Sequence, residues 1–339
     1  MTSKNIAFIL ISLVVLSSCA GNHSTIKYDK LANSNGKDTI QVTNVKHITD
    51  LSTGAIVFAT NDSLFIMKSG AKIFASTIPK VNALTASGNT ISIGTVSGYY
   101  SFDLTTNVLR PIDLPAKQPR PSITATAFDA EKNVWVATDG YGLYHITPEV
   151  IRPYGTAPNM SSVAITPDSG VWAGSNVGLF RIFSSGEMKR YYEETSNGIA
   201  IPDNIIEHLQ CDERGNLWIF ASSAVSIVRP EDYRDLSASG TDKDIDPTNY
   251  SFLGSEGNSV SRFFQRKGHE NIWWALSSQG LLALSSIDVE SEHRVTDEPK
   301  IAKGHLEIVT SFRDGSGKKN AAITNLNDIT FDDEGNLWI

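Results

Sequence analysis

Cys211 to Ile219 read Cys-Asp-Glu-Arg-Gly-Asn-Leu-Trp-Ile, and Phe331 to Ile339 repeat the phrase as Phe-Asp-Asp-Glu-Gly-Asn-Leu-Trp-Ile. An apolar run, an acidic turn ending in Gly-Asn and a second apolar run centred on Trp is a β-hairpin pattern. Gly and Asn accept the positive φ that such a tight turn imposes. Looser copies stand at Phe128–Val136, Ile165–Ala173 and Phe264–Trp274. Aligned on the Trp, the units centre on Val57, Ser92, Trp135, Trp172, Trp218, Trp273 and Trp338. Their intervals run from roughly 35 to 65 residues, which suits four-stranded propeller blades with variable loops. A solenoid would keep its period more strictly.

Each unit keeps one internal order. A short apolar strand leads into the Trp-type strand, then a turn, then a third strand such as Gly98–Phe102, Gly142–Ile146, Gly178–Ile182 or Gly280–Leu284. A more polar fourth strand follows, as in Met188–Tyr192. Polarity rising from the first strand to the fourth is what a blade demands, with its first strand at the hub and its last in water. Ser63 and Ala224 replace the turn Gly in the first and fifth units, and these turns are expected to differ in shape. The fold class expected is therefore all-β: a β-propeller of four-stranded blades, seven by count, over residues 46–339. The seventh unit reaches Ile339 inside its Trp strand. It is read as incomplete in a fragment of a longer chain, as closed by the N-terminal strands Thr25–Tyr28 and Thr39–Val42, or as both.

The recurring Trp is a packing residue between blades, since an indole buries about 150–250 Å² and links sheets that share no hydrogen bonds. The Asp-x-x-Gly-Asn corners superficially resemble calcium loops. They run straight into a strand and lack the further ligands such a loop needs, so they read as turns. No metal site and no cofactor is expected.

Residues 1–19 form an export signal: Lys4, then the eleven-residue run Ile6–Leu16, then Leu16-Ser17-Ser18-Cys19 in lipobox order. The run is too short to span a bilayer, which takes roughly 20 residues. Cys19 is the expected lipidation site, giving a membrane attachment through a lipid anchor and a cell-envelope location, periplasmic or at the outer surface. Residues 20–45 are a polar tether plus the candidate closing strands. The net charge of −8 and the absence of a basic groove argue against nucleic acid as a partner. Two cysteines, Cys19 and Cys211, exclude a disulfide framework.

Catalysis finds no support. Seven histidines (His23, His47, His145, His208, His269, His293 and His305) lie without metal-ligand spacing, and no Gly-x-Ser-x-Gly elbow occurs. Cys211 ends an apolar strand and reads as an inert small hydrophobe. The segments leading into the first strands carry Arg120, Asn159, Asp203, Asn204, Asn258 and Asn327, while Tyr141 sits in a Gly-flanked turn. These are the candidate ligand-binding residues, suited to a glycan or another small polar ligand. Asn and Asp before a strand also cap turns, which is their structural alternative. Two long connections, Arg229–Asn258 and Ser285–Leu326, read as surface excursions.

The phrases Asn133–Thr138 with Asp139–Leu143, Ile201-Pro202-Asp203-Asn204 before Cys211–Ile219, and Ala157-Pro158-Asn159 before Trp172 resemble the two-component regulator propeller repeat. The resemblance covers about residues 46–339. It is closest at Trp135, Trp218 and Trp338 and looser at Trp172 and Trp273. In the first two units only the Ala59-Thr60 and Gly94-Thr95 endings carry it. The resemblance implies a sensor or input module for a histidine kinase, some relatives of which sense glycan fragments. No kinase motif follows, so the chain is expected to bind and not to catalyse. A non-catalytic scaffold in an envelope or secretion complex is the alternative, and a propeller hydrolase or lyase a more distant one.

Overall fold

The computed structural model describes residues 25–29, 39–43, 45–51, 53–68, 71–155, 159–192, 201, 203–221, 225–234, 236, 248–251, 260–265, 272–277, 280–285, 300–301, 305–309, 327–331 and 337–338. Strands dominate them, with one short helix, Pro230–Tyr233. Six successive units each form an antiparallel meander in sequence order, and the molecule is a β-propeller. The innermost strands are His47–Leu51, Val81–Ser87, Ile123–Phe128, Met160–Ile165, Ile206–Cys211 and Val260–Gln265, followed by Thr330–Phe331 of the last hairpin. Among the described residues these strands touch in that order, and Thr330–Phe331 returns to His47–Leu51.

Side chains seal this return. Ile48 N donates to Asp328 Oδ2 at 3.2 Å, Asn327 Nδ2 to the Val45 carbonyl at 3.0 Å, and Thr330 Oγ1 to Asp50 Oδ1 at 3.2 Å. The N-terminal strands Thr25–Asp29 and Thr39–Thr43 do pair with each other, in a sheet of their own. They are not hydrogen-bonded to Leu337–Trp338 of the last hairpin, so the joined seventh sheet expected from the sequence is not among the hydrogen-bonded sheets.

Three of the repeat Trp side chains are described and pack as the repetition predicts. Trp135, Trp172 and Trp218 are 5%, 0% and 1% exposed. Trp135 lies with Met160, Val163 and Ala173 of the next unit, and Trp172 with Ile206, Leu209 and Leu217 of the next. The acidic corners are turns held by their own side chains. Asp212 Oδ1 accepts Asn216 N at 2.8 Å, while Oδ2 accepts Trp218 Nε1 at 2.9 Å, so one carboxylate fixes both turn and indole. At the same turn position Lys132 (φ 66°), Ser169 (φ 60°) and Gly215 (φ 86°) are left-handed. Two of these three lack the Gly that the position favours. Lys132→Gly and Ser169→Gly are each expected to raise stability by about 0.5–1 kcal/mol, the scale of left-handed strain less glycine's added chain entropy. A urea midpoint that falls in both variants would contradict this.

Four of the six outer edges are guarded. Pro111 and Pro153 sit in the fourth strands of the second and third units. Lys72 and a register shift mark the fourth strand of the first unit. Lys300–Ile301 adds a parallel fifth strand beyond Thr248–Ser251 of the fifth unit. Each device discourages pairing with a foreign strand. The faces of the ring, where the loops gather, remain.

Candidate functional site

In the first three units the end of the second strand, or the turn after it, is tied to the segment that leads into the first strand. Lys46 N donates to the Ala59 carbonyl at 2.8 Å, Val96 N to Lys80 at 2.9 Å, and Asp139 N to Ser122 at 2.9 Å. A hydroxyl at the end of the second strand closes the turn. Thr95 Oγ1 donates to the Gly98 carbonyl at 2.8 Å, Thr138 Oγ1 to Gly142 at 2.6 Å, and Ser175 Oγ to Gly178 at 2.8 Å. The first unit, with Ser63 in place of Gly, keeps the hydroxyl closure, Thr60 Oγ1 to the Ser63 carbonyl at 3.4 Å, adds a contact to Asp62 Oδ1 at 3.0 Å, and differs in that Ser63 lacks the positive φ of Gly98, Gly142 and Gly178. Ala224 lies outside the described residues. The turns and lead-in segments together form one face of the ring.

On this face the structure brings Arg120, Tyr141 and Asn159 together. The connection between the second and third units folds on itself through Leu114 N to the Pro119 carbonyl at 2.9 Å, with Leu114 buried beneath. That fold presents Asp113, Gln118 and Arg120. Arg120 Nε meets Asp113 Oδ1 at 2.7 Å; both side chains are about half exposed, so the pair orients the guanidinium more than it stabilises the fold. The hydrogen bond and the charge of Asp113 push the Arg120 pKa up. Tyr141 donates its hydroxyl to Gln118 Oε1 at 3.1 Å, and Gln118 Nε2 donates to the Arg120 carbonyl at 3.4 Å. A Cβ on Gly140 would stand 3.6 Å from Asn159 Oδ1, which places Asn159 over the Asp139–Gly142 turn. A Cβ on Gly98 would stand 3.0 Å from Arg120 Cβ, so the second unit's turn forms the other wall. Val96 beside it is 42% exposed.

The cluster therefore draws on three successive units. It offers an aromatic ring, two amides and an oriented guanidinium, with glycine backbone left bare between them. Neutral hydrogen-bonding groups around an aromatic suit a ligand rich in hydroxyls.

The other candidates fall elsewhere. Asp203 Oδ1 accepts Ile205 N at 2.9 Å, the turn-capping role, and Asn204 stands beside it at the fifth unit. Asn327 is occupied at the ring joint with Val45 and Lys46. Asn258 and Cys19 lie outside the described residues. Gln118 and Asp113 were not marked by the sequence; their signal is the ten-residue connection itself, which carries Pro115, Pro119 and Pro121.

The opposite face carries the acidic corners. There His145 Nε2 lies 2.9 Å from Asp129 Oδ2, and its ring stacks on Trp135 with centroids 4.3 Å apart, a structural assignment for the pair. Among the described residues no group of three or more His, Cys, Asp or Glu could hold a metal. Cys211 has its thiol pKa pushed up to about 12, first by burial and then by Asp212 and Asp168. The thiolate is the reactive form, so Cys211 is expected to stay unmodified by a maleimide at pH 8 until urea unfolds the chain. Labelling of Cys211 in the native protein, located by peptide mapping to separate it from Cys19, would contradict that. No helix among the described residues is long and apolar enough to cross a membrane.

No protein-family model matches the chain, and no curated protein matches it. Solved structures share its fold at low identity. PorZ, a surface component of the type-IX secretion system of Porphyromonas gingivalis, aligns with a TM-score of 0.54 and 13% identity over 84% of this chain and 48% of that one. The computationally designed Ika8 protein aligns at 0.53 and 13% over 98% and 96%. The extracellular domain of the hybrid two-component system BT4673 from B. thetaiotaomicron aligns at 0.46 and 14%, over 88% of this chain. The chain spans 42% of the length of that domain.

Proposed function

We propose that this protein is an extracytoplasmic binding propeller that takes a hydroxyl-rich ligand, a glycan or a similar small polar molecule, on the face bearing Arg120, Tyr141 and Asn159. The observation that carries the reading is the convergence of Arg120, Gln118, Tyr141 and Asn159 from neighbouring units onto one face. Pro111, Pro153 and the added strand Lys300–Ile301 guard outer edges of the second, third and fifth units, which favours contact through a face. Location outside the cytoplasm rests on the leader and on Cys19 as a lipid-bearing terminus. The resemblance of its repeats to the two-component regulator propeller supports an input role, with a histidine kinase or another envelope protein as downstream partner. The reading assigns no catalytic step.

Isothermal titration of the purified chain with a panel of soluble neutral polysaccharides tests it. Heat of binding is expected for at least one. Tyr141→Ala and Asn159→Ala are each expected to weaken that binding by about tenfold, the scale of losing one stacking or hydrogen-bonding contact of about 1.4 kcal/mol, while leaving the melting temperature in place. Absence of heat across the panel would remove the glycan reading. The second reading is a scaffold in an envelope complex, as PorZ is a surface component of a secretion system of the same fold.

A further inference from the structure

Tyr154 and Tyr191 end the fourth strands of the third and fourth units, and both are structural. Tyr154 packs on Trp135 with ring centroids 4.9 Å apart, and Tyr191 packs on Trp172 at 5.8 Å. Tyr191 is 1% exposed, but Tyr192 beside it is 37% exposed, so the Tyr192 ring does not serve the core.

Register fixes where Tyr192 stands. Ile112, Tyr154 and Tyr191 pair with Tyr99, Leu143 and Leu179, each the residue after a turn glycine. The next residues are Asp113, Gly155 and Tyr192, which therefore hold one position in three successive units. A Cβ on Gly178 would stand 3.5 Å from Tyr192 Cβ. Tyr192 thus lies beside the fourth unit's turn, on the face that carries Tyr141. Asp113, its counterpart in the second unit, already orients Arg120 on that face. The fold does not require an aromatic there, since the third unit has Gly155.

Arg190 completes the group. Its guanidinium lies over the Tyr192 ring, 4.8 Å from the centroid, and both side chains are exposed. The cation holds one face of the ring and leaves the other for a ligand. A tyrosine beside an oriented guanidinium is the chemistry of Tyr141 with Arg120, repeated one unit further round. Between the two pairs stand Asn159, which leads into the fourth unit, and Gly178, whose backbone is bare at φ +122°.

We infer that Tyr192 and Arg190 form a second sugar subsite, so that this face takes a chain of sugars and not a single one. This rests on the glycan reading of the Tyr141 cluster and names its ligand as an oligosaccharide. Packed sheets lie about 10 Å apart, so equivalent turns on neighbouring blades are separated by more than one sugar ring. One sugar stacks its apolar face on Tyr192 while Arg190 donates to its hydroxyls, and another occupies the Tyr141 cluster.

Calorimetry on the full chain tests this with sugars of two lengths: maltohexaose, cellohexaose, xylohexaose and mannohexaose, each against its disaccharide. The hexasaccharide that gives heat is expected to bind about tenfold more tightly than its disaccharide, the scale of one added stacking contact. Tyr192→Ala is expected to erase that advantage, Tyr192→Phe to keep it, and Tyr141→Ala to weaken both lengths. An advantage that survives Tyr192→Ala would overturn the second subsite and leave the Tyr141 cluster standing. Equal weakening of both lengths by Tyr192→Ala would also overturn it, because Tyr192 would then belong to the first subsite. No heat from any of these sugars would remove the glycan reading and the second subsite together.

Discussion

Arg181→Ala is expected to destabilise the propeller by about 3–5 kcal/mol, the cost of breaking a buried ion pair from one side. Arg181 is 4% exposed on the third strand of the fourth unit. Its Nη2 donates to Asp168 Oδ2 at 2.7 Å and its Nη1 to the Tyr233 carbonyl. The guanidinium also lies over the rings of Trp172 at 5.0 Å and Phe183 at 4.9 Å. It thus ties a corner of the fourth unit to the helix Pro230–Tyr233, which belongs to the chain leaving the fifth. Alanine would strand the Asp168 carboxylate and the Tyr233 carbonyl and open a cavity beside Trp172. Arg181→Met restores most of the volume but not the charge, and should fall between wild type and alanine. The double variant Arg181→Met with Asp168→Ala should recover stability relative to Arg181→Met alone, since it removes the orphaned charge. Urea midpoints for these proteins, together with Asp168→Ala alone, decide this; additive losses would show that the pair is not coupled.

Gly142→Ala is expected to cost about 3 kcal/mol, combining left-handed backbone strain of roughly 1–2 kcal/mol with steric overlap of similar size. Gly142 has φ +81°, and a Cβ there would overlap the Gly155 carbonyl oxygen at the end of the same unit's fourth strand. Gly88→Ala is the control. Gly88 also has positive φ, at +57°, but its Cβ would meet only Lys132 Nζ at 3.8 Å. It should therefore show the backbone cost alone, about 1 kcal/mol. The difference between the two isolates the close approach that shapes the Tyr141 turn. Equal losses would place the whole effect in φ.

These two positions also mark how far the residues alone could be read. The Trp strand, its acidic corner and the turn glycine were legible because each repeat needs the same local geometry, so recurrence separates packing from chemistry. Trp218 and Asp212 are hydrogen-bonded to each other, and the phrase containing them is structural. Arg181 was not legible, because in Gly178–Ile182 it looks like an outward charge, and the helix Pro230–Tyr233 that helps bury it ends 52 residues further on. Arg120, Tyr141 and Asn159 could be named from their places in turns and lead-in segments. Their partners Gln118 and Asp113 could not, since the connection that carries them has no periodicity to fix its path. The β-bulges of the inner strands at Asn82, Ser161 and Glu207 were equally hidden. A bulge is a register between two strands, and Val-Asn, Met-Ser and Ile-Glu look alike to any alternation rule.

Hydrogen exchange of the chain, alone and saturated with the polysaccharide that gives heat, tests the binding face most directly. Slowed exchange is expected at residues 113–122 and 139–142, with the opposite corners at 129–133 and 212–216 unchanged. Protection at those corners, with 113–122 unaffected, would contradict it.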